Sequence, residues 1–138
     1  MAFHPYLMFG GNCREALGRY QEIFGGELSV MSMADMPGDQ PPPPEQADLV
    51  MHGALTFEGH LLMASDDPTG GFDGVRGMAV SYSATSPGEA RRVFDALADG
   101  GSVTMPLGET FWSPAFGMCV DRFGTPWMVG VDGPATDG

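Results

Sequence analysis

A chain of 138 residues has room for one domain whose buried core needs no staples. Its 43% hydrophobic content, interspersed with Gly and Pro, is that of a globular protein and not of a disordered one; no apolar run approaches the roughly 20 residues that span a bilayer, so a membrane helix is excluded. Asp and Glu number 18 against 6 Lys and Arg, a net charge of -12 that repels phosphate backbones, excludes nucleic acid as a partner, and favours either cationic ligands or simply a solvated acidic surface.

The opening Met1-Ala2-Phe3-His4-Pro5 has neither the basic flank nor the cleavage site of a secretory signal, and a cytoplasmic location is expected. Tyr6 to Phe9 reads as a first strand. Asn12-Cys13-Arg14-Glu15 then reads as a helix N-terminus, with Ala16, Leu17, Tyr20, Ile23 and Phe24 at helical spacing and Gly25-Gly26 as the stop. Strand-like runs follow at Glu27 to Met33, Val50 to Phe57 and His60 to Ser65, the last two joined by a Glu58-Gly59 hairpin turn. Between them Met36 to Ala47 carries Pro41-Pro42-Pro43-Pro44, which cannot pair in a sheet and reads as a surface loop or lid. After the Gly-rich stretch Asp66 to Arg76, a strand is predicted over Met78 to Tyr82. Ser86-Pro87-Gly88-Glu89 caps a second helix bearing Ala90, Val93, Phe94 and Leu97, stopped by Gly100-Gly101. Strands close the chain at Ser102 to Met105, Ala115 to Asp121 and Pro126 to Val131, with a loop over Pro106 to Pro114. Cys13 and Cys119 are too few for a disulfide framework and suit a reducing compartment.

The order strand, helix, three strands occurs twice. Ser86, Glu89, Ala90, Phe94 and Leu97 each lie 74 residues after Asn12, Glu15, Ala16, Tyr20 and Ile23, and the Arg122-Phe123-Gly124-Thr125 corner lies 65 after Phe57-Glu58-Gly59-His60. Constant spacing of this kind marks a duplication. The predicted fold is α+β: two βαβββ modules, about residues 4–66 and 77–131 of one domain, whose mixed sheets curl into a cup with the helices on the outer face.

Several segments resemble the PhnB-like branch of the vicinal oxygen chelate superfamily, whose members are often labelled 3-demethylubiquinone methyltransferases. They are Pro5-Tyr6-Leu7, Gly11-Asn12-Cys13-Arg14-Glu15-Ala16, Met51-His52-Gly53-Ala54-Leu55, Leu62-Met63-Ala64-Ser65-Asp66, Gly108-Glu109-Thr110-Phe111-Trp112 and Asp121-Arg122-Phe123-Gly124-Thr125-Pro126-Trp127-Met128. The match runs in order from about residue 4 to residue 131. It implies the glyoxalase-like fold, relatives among glyoxalases, bleomycin-binding proteins and dioxygenases, and a homodimer; it does not imply which chemistry is present. In the metal-dependent relatives the first and last strands of each half supply His, Gln or Glu to one divalent ion. Carried over by the helix caps and hairpin corners, those positions fall on Pro5, Met63, Ala79 and Met128, none of them a usual ligand. No metal or other cofactor is therefore expected. Nor does Gly10-Gly11 have the sequel that a nucleotide-type methyltransferase fold requires.

Counting outward from the Glu58-Gly59 turn pairs Phe57 with His60, Thr56 with Leu61, Ala54 with Met63 and His52 with Ser65. Alternation then puts His52, Ala54, Met63 and Ser65 on an inner face, with Gly53, Leu55, Phe57, Leu62 and Ala64 toward the helix. The spacing of 65 adds Cys119 opposite Met128, and alternation adds Ser81, Ser83, Leu7 and Phe9. The expected ligand-contacting residues are thus Met63, Ser65, Ser81, Ser83, Cys119 and Met128, with Trp112 from the 106–114 loop over the mouth. His52 is the titratable base among them and the candidate catalytic residue, although a single His on a strand is more often a hydrogen-bonded core group. Cys119 has no sequence-adjacent base and reads as a small buried hydrophobe rather than a nucleophile; Trp112 reads either as a ring stacked on a ligand or partner subunit or as a seal in the core. Two functions are compatible with this surface: a glyoxalase-like enzyme working by acid–base chemistry without the conventional metal, and a metal-free binding or sequestering protein resembling the bleomycin-resistance proteins.

Overall fold

The computed structural model describes residues 2–35, 38 and 41–132. In chain order the elements are β1 (Tyr6–Phe9), α1 (Cys13–Phe24), β2 (Glu27–Ser32), β3 (Val50–Phe57), β4 (His60–Asp66), β5 (Val80–Ala84), α2 (Pro87–Ala98), β6 (Ser102–Gly108), β7 (Phe116–Val120) and β8 (Pro126–Val131). The chain divides into two units, Met1–Asp73 and Gly74–Gly138. Each holds one four-stranded mixed sheet, in the order β1-β4-β3-β2 in the first unit and β5-β8-β7-β6 in the second. The first pair of each sheet is parallel and the other two are antiparallel. This is the duplicated βαβββ architecture that the repeat implies.

In each unit the helix is fixed by its apolar stripe. Cys13, Ala16, Leu17, Tyr20 and Ile23 of α1 are buried, as are Ala90, Val93, Phe94 and Leu97 of α2, at spacings of three and four that form one face. That face lies against β3 in the first unit and against β7 and β8 in the second. The strands beneath must let it approach. At Gly53 on β3 a methyl group would run into the Leu17 side chain, and at Gly117 on β7 it would lie 2.9 Å from both the Leu107 nitrogen and the Phe94 ring. Glycine at these two points lets the helices close on Leu7, Phe9, Leu55, Leu62 and Ala64 in one unit and on Cys119, Trp127 and Val129 in the other, all of them buried.

Local chemistry moves several boundaries from their expected places. β2 stops at Ser32 because the Asp35 carboxylate accepts hydrogen bonds from the Ser32 nitrogen and hydroxyl at 3.1 and 2.9 Å, turning Met33–Asp35 into a short 3-10 segment. β6 continues through Pro106 to Gly108. It is the edge strand of its sheet, where the missing N–H of proline forfeits little, and its register against β7 is irregular around Met105. β5 begins at Val80 and extends to Ala84, as its parallel partner Trp127 to Val131 requires, and Met78 is left outside it and exposed. Within the loop expected over Met36 to Ala47, residues 36, 37, 39 and 40 lie outside the described residues. Its Pro41 to Pro43 are in no strand, and Pro43 has the polyproline II angles φ -55 and ψ 146.

The two helices are capped by different devices. Ser86 caps α2 with its own hydroxyl, which accepts a hydrogen bond from the Glu89 nitrogen. Asn12, the expected cap of α1, makes no such bond. The acceptor comes from the end of β4 instead: Asp66, 2% exposed, receives the Gly11 and Cys13 nitrogens on Oδ1 at 2.9 and 3.0 Å and the Val50 nitrogen on Oδ2 at 2.9 Å. One carboxylate thus ties together the turn after β1, the start of α1, the start of β3 and the end of β4. Asp66→Ala strands three donors and is expected to cost about 3 kcal/mol or more, read as a fall in the urea unfolding midpoint. Asp66→Asn is expected to cost less, about 1 to 3 kcal/mol, because its single oxygen still serves the helix while its NH2 group opposes the Val50 donor.

Candidate functional site

Each sheet has a second face, away from its helix. In the first unit the parallel register Tyr6↔Met63, Leu7↔Ala64, Met8↔Ser65 sets which side chains stand there. Leu7 and Phe9 point to the helix and are buried, so their expected place on the inner face is wrong; Tyr6 and Met8, 43% and 40% exposed, occupy it instead. The reason lies in the connection. Three residues link β1 to α1 but only two link β5 to α2, so the strands are related by 75 residues where the helices are related by 74. A parity carried over from the helix caps therefore inverts on the strand. The antiparallel register Phe57↔His60, Thr56↔Leu61, Ala54↔Met63 is as expected and places Ala54 and Met63 beside Tyr6, with His52 next along β3 and Met31 across from it on β2. Ser65 is on this face yet only 6% exposed. Tyr6 and His52 stand on the strands either side of β4, their ring centroids 6.0 Å apart, and the Ser65 hydroxyl donates to the Met8 sulfur at 3.5 Å. The sequence reading missed Tyr6 and Met8; the signal was that Leu7 and Phe9, the more apolar pair, belong to the core.

In the second unit Ser81 pairs with Met128 and Ser83 with Gly130, and both serines are exposed on the face opposite α2 as expected. Met118 pairs with Met128 and Phe116 with Gly130 on the same face. Cys119 does not join them. It pairs with Trp127, is 1% exposed, and stands on the helix side in the place that Leu55 holds in the first unit. The cause is the turn between β7 and β8. Where Glu58-Gly59 makes a two-residue turn, Val120↔Pro126 encloses five residues, wound on the Asp121 carboxylate, which accepts the Phe123 and Thr125 nitrogens on Oδ1 and the Trp127 indole on Oδ2 at 2.8 Å. The extra odd residue shifts β7 by one, so β3 and β7 are related by 64 residues and not 65.

Trp112 lies at the end of this face. Its ring meets Phe116 edge-on at 5.4 Å and Phe111 at 4.7 Å; Phe111 is 88% exposed and Trp112 46%, so Trp112 is not sealed in a core. The loop carrying them is anchored. Ser113, 2% exposed, sets its hydroxyl 2.6 Å from both the Ala115 and Val131 carbonyls, which share its one proton, and Thr110 closes a turn on Ser113. Beside it the Asp132 carboxylate accepts from the Ser83 hydroxyl at 3.3 Å.

The residues do not fit the divalent ion that the superfamily resemblance implies. With the strand parity corrected, the positions facing one another are Tyr6 with Met63 in one unit and Ser81 with Met128 in the other, in place of Pro5 and Ala79. None is a usual ligand for such an ion. Among the described residues no group of three His, Cys, Asp or Glu side chains converges to hold a metal.

Comparison with known proteins places these features. The family model described as 3-demethylubiquinone-9 3-methyltransferase matches residues 1–130. The chain belongs to that family. It is 33% identical to the protein YjdN of Escherichia coli over 140 residues, covering 95% of both chains. Among solved structures it is similar to protein PA1353 of Pseudomonas aeruginosa, at 46% identity with a TM-score of 0.83 and coverage of 96% and 98%. A PhnB protein of Bacillus cereus, titled a putative 3-demethylubiquinone-9 3-methyltransferase, follows at 26% identity and a TM-score of 0.74, covering 95% and 99%. A glyoxylase/bleomycin resistance protein/dioxygenase domain of Frankia, 19% identical with a TM-score of 0.63 and coverage of 96% and 97%, shows that the fold is glyoxalase-like. The family name speaks of methyl transfer. In this member of the 3-demethylubiquinone-9 3-methyltransferase family the glycine turn after β1, where a nucleotide-type cofactor would present its anionic group to a helix N-terminus, is already filled by the Asp66 carboxylate.

Neither cysteine is poised as a nucleophile. Burial, reinforced by the nearby Asp66 carboxylate, pushes the Cys13 thiol up from 9.0 to about 12, and burial with Asp121 beside it pushes Cys119 up to about 11. Both folded values lie above the unfolded ones, so the stability these thiols contribute is complete below about pH 9 and drains away as the pH rises through 11 to 12. At pH 8 an aromatic disulfide reagent should find no reactive thiol in the folded chain and two once urea unfolds it. The urea midpoint should decline above about pH 9, more gently in Cys13→Ala.

Proposed function

We propose that the chain is a small-molecule-binding domain that takes a flat organic cation on the open face of its second unit, without the divalent metal of its glyoxalase-like relatives. The observation that carries this reading is the ring series Phe111, Trp112 and Phe116, the first two exposed on a loop anchored by Ser113 and the third half-buried on β7, on the same unit as the Asp132 carboxylate. Rings of this kind attract a cation through their electron-rich faces, a carboxylate adds charge, and Ser81, Ser83, Met118 and Met128 offer hydroxyls and pliable thioethers to the rest of the molecule. The net charge of -12 favours the same class of ligand over an anionic one. The test is calorimetry and thermal shift with pairs of aromatic compounds matched in shape, one cationic and one neutral. The cationic members should bind and raise the melting temperature, Trp112→Ala should weaken them by about tenfold or more, and Asp132→Asn should weaken them less and only at low salt. A panel in which neutral members bind equally well, or in which Trp112→Ala changes nothing, overturns the reading.

Acid–base catalysis by His52 is the second reading, favoured by the Tyr6 ring beside it. It calls for turnover that His52→Ala abolishes.

A further inference from the structure

The first unit's open face carries thioethers that neither functional reading uses, beside the His52 imidazole. We propose that Met8, Met63 and His52 form a binding site for a soft monovalent cation, Cu(I) or its analogue Ag(I). The placement rests on how these side chains lean. Met63 stands on β4, the central strand of the three. Met8, on β1, is diagonal to it, because Tyr6 pairs with Met63 and Met8 with Ser65. His52, on β3, is diagonal from the other side, because Ala54 pairs with Met63. Such diagonals span roughly 7–8 Å between backbones, a gap that long side chains close.

Both flanking side chains lean inward. The Met8 sulfur is 3.5 Å from the Ser65 hydroxyl on β4, and the His52 ring reaches to within 6.0 Å of the Tyr6 ring, which starts two strands away. Two thioethers and an imidazole therefore stand on one face of three adjacent strands, on diagonals that long side chains can span. Met8 is 40% exposed and Met63 half-buried, so neither is core filling, and among the described residues no hydrogen bond occupies the His52 ring. Met31, across from His52 and 40% exposed, is within reach as a fourth donor.

The donor chemistry selects the ion. Two neutral thioethers and one neutral imidazole offer no anionic oxygen to a hard or borderline divalent ion, whereas thioether sulfur favours Cu(I). The same composition that fails the relatives' metal thus fits a softer one. The site is independent of the ring series in the second unit and, if filled, displaces the acid–base reading of His52.

The experiment is an anaerobic titration of the full chain with Cu(I) against a chromophoric Cu(I) chelator, joined to methyl spectra of methionine-labelled protein titrated with Ag(I). The expected result is one equivalent bound per chain. Met8→Leu, Met63→Leu and His52→Ala should each lower the affinity at least tenfold, and Ag(I) should shift the Met8 and Met63 methyl resonances first. The paired variants Met118→Leu/Met128→Leu and Cys13→Ala/Cys119→Ala should bind as the parent does, and an equal concentration of Zn(II) should not compete. Binding that follows the cysteines or the second-unit methionines overturns the proposal, as does Ag(I) that leaves the Met8 and Met63 methyls unmoved. The methyl spectra need no substitution, so a variant that fails to fold leaves the test intact. The cationic aromatic ligand should still bind His52→Ala, which separates this proposal from the preceding one.

Discussion

Two buried carboxylates decide which side chains face outward in this chain. Asp66 collects three backbone nitrogens from the turn after β1, the start of α1 and the start of β3, and so permits a three-residue connection with no cap of its own. Asp121 winds five residues into the turn between β7 and β8 and anchors the Trp127 indole. A strand has a period of two, so a connection that gains or loses one residue turns the whole strand over relative to its repeat. Each carboxylate holds such a one-residue difference in place. Their negative charge also acts on the nearest thiols, adding to burial at Cys13 and Cys119.

That is why the fold was legible in the sequence and part of the site was not. Helix stripes, glycine stops and the two-residue turn at Glu58-Gly59 are local signals, and the strands and helices stand where those signals put them, within a few residues at most. The register of β3 on β4 followed from the turn alone. Carrying a facing assignment from one repeat to the other is different, because it needs each connecting length to be equal. The connections after β1 and after β7 are not equal to their counterparts. Leu7 and Phe9, counted from a strand position fixed by the helix cap, and Cys119, placed by the spacing of 65, therefore came out on the wrong face, while Met63, Ser81, Ser83 and Met128 do stand on the faces away from the helices.

Tyr6 and Met8 were missed for a related reason. A four-residue strand of Tyr, Leu, Met and Phe marks its outer face only by the weak contrast between Leu7 and Phe9 and the less apolar Tyr6 and Met8, and it is the parallel pairing with β4 that fixes the two sides. The exposure of Trp112 was not readable either, since it depends on Ser113 pinning the loop to Ala115 and Val131. Hydrogen bonds between a loop serine and a strand end leave no periodic trace.

Aligning the repeats by their true spacings separates what the duplication kept from what it changed. On the helix side Gly53 corresponds to Gly117, Leu55 to Cys119, Leu62 to Trp127, Ala64 to Val129 and Phe9 to Ala84, every one small or apolar and buried. On the open side Tyr6 corresponds to Ser81, Met8 to Ser83, His52 to Phe116 and Ser65 to Gly130, and only Met63 and Met128 agree. The first set answers to packing, which accepts any side chain of suitable volume and no polar group. The second set has exchanged rings for hydroxyls and an imidazole for a phenyl group, changes that packing against the helix does not ask for. The two faces have therefore become chemically different surfaces on one scaffold, thioether and imidazole on the first, aromatic and acidic on the second. The fold does not predict either surface, because it rests on the helix side that the repeats still share.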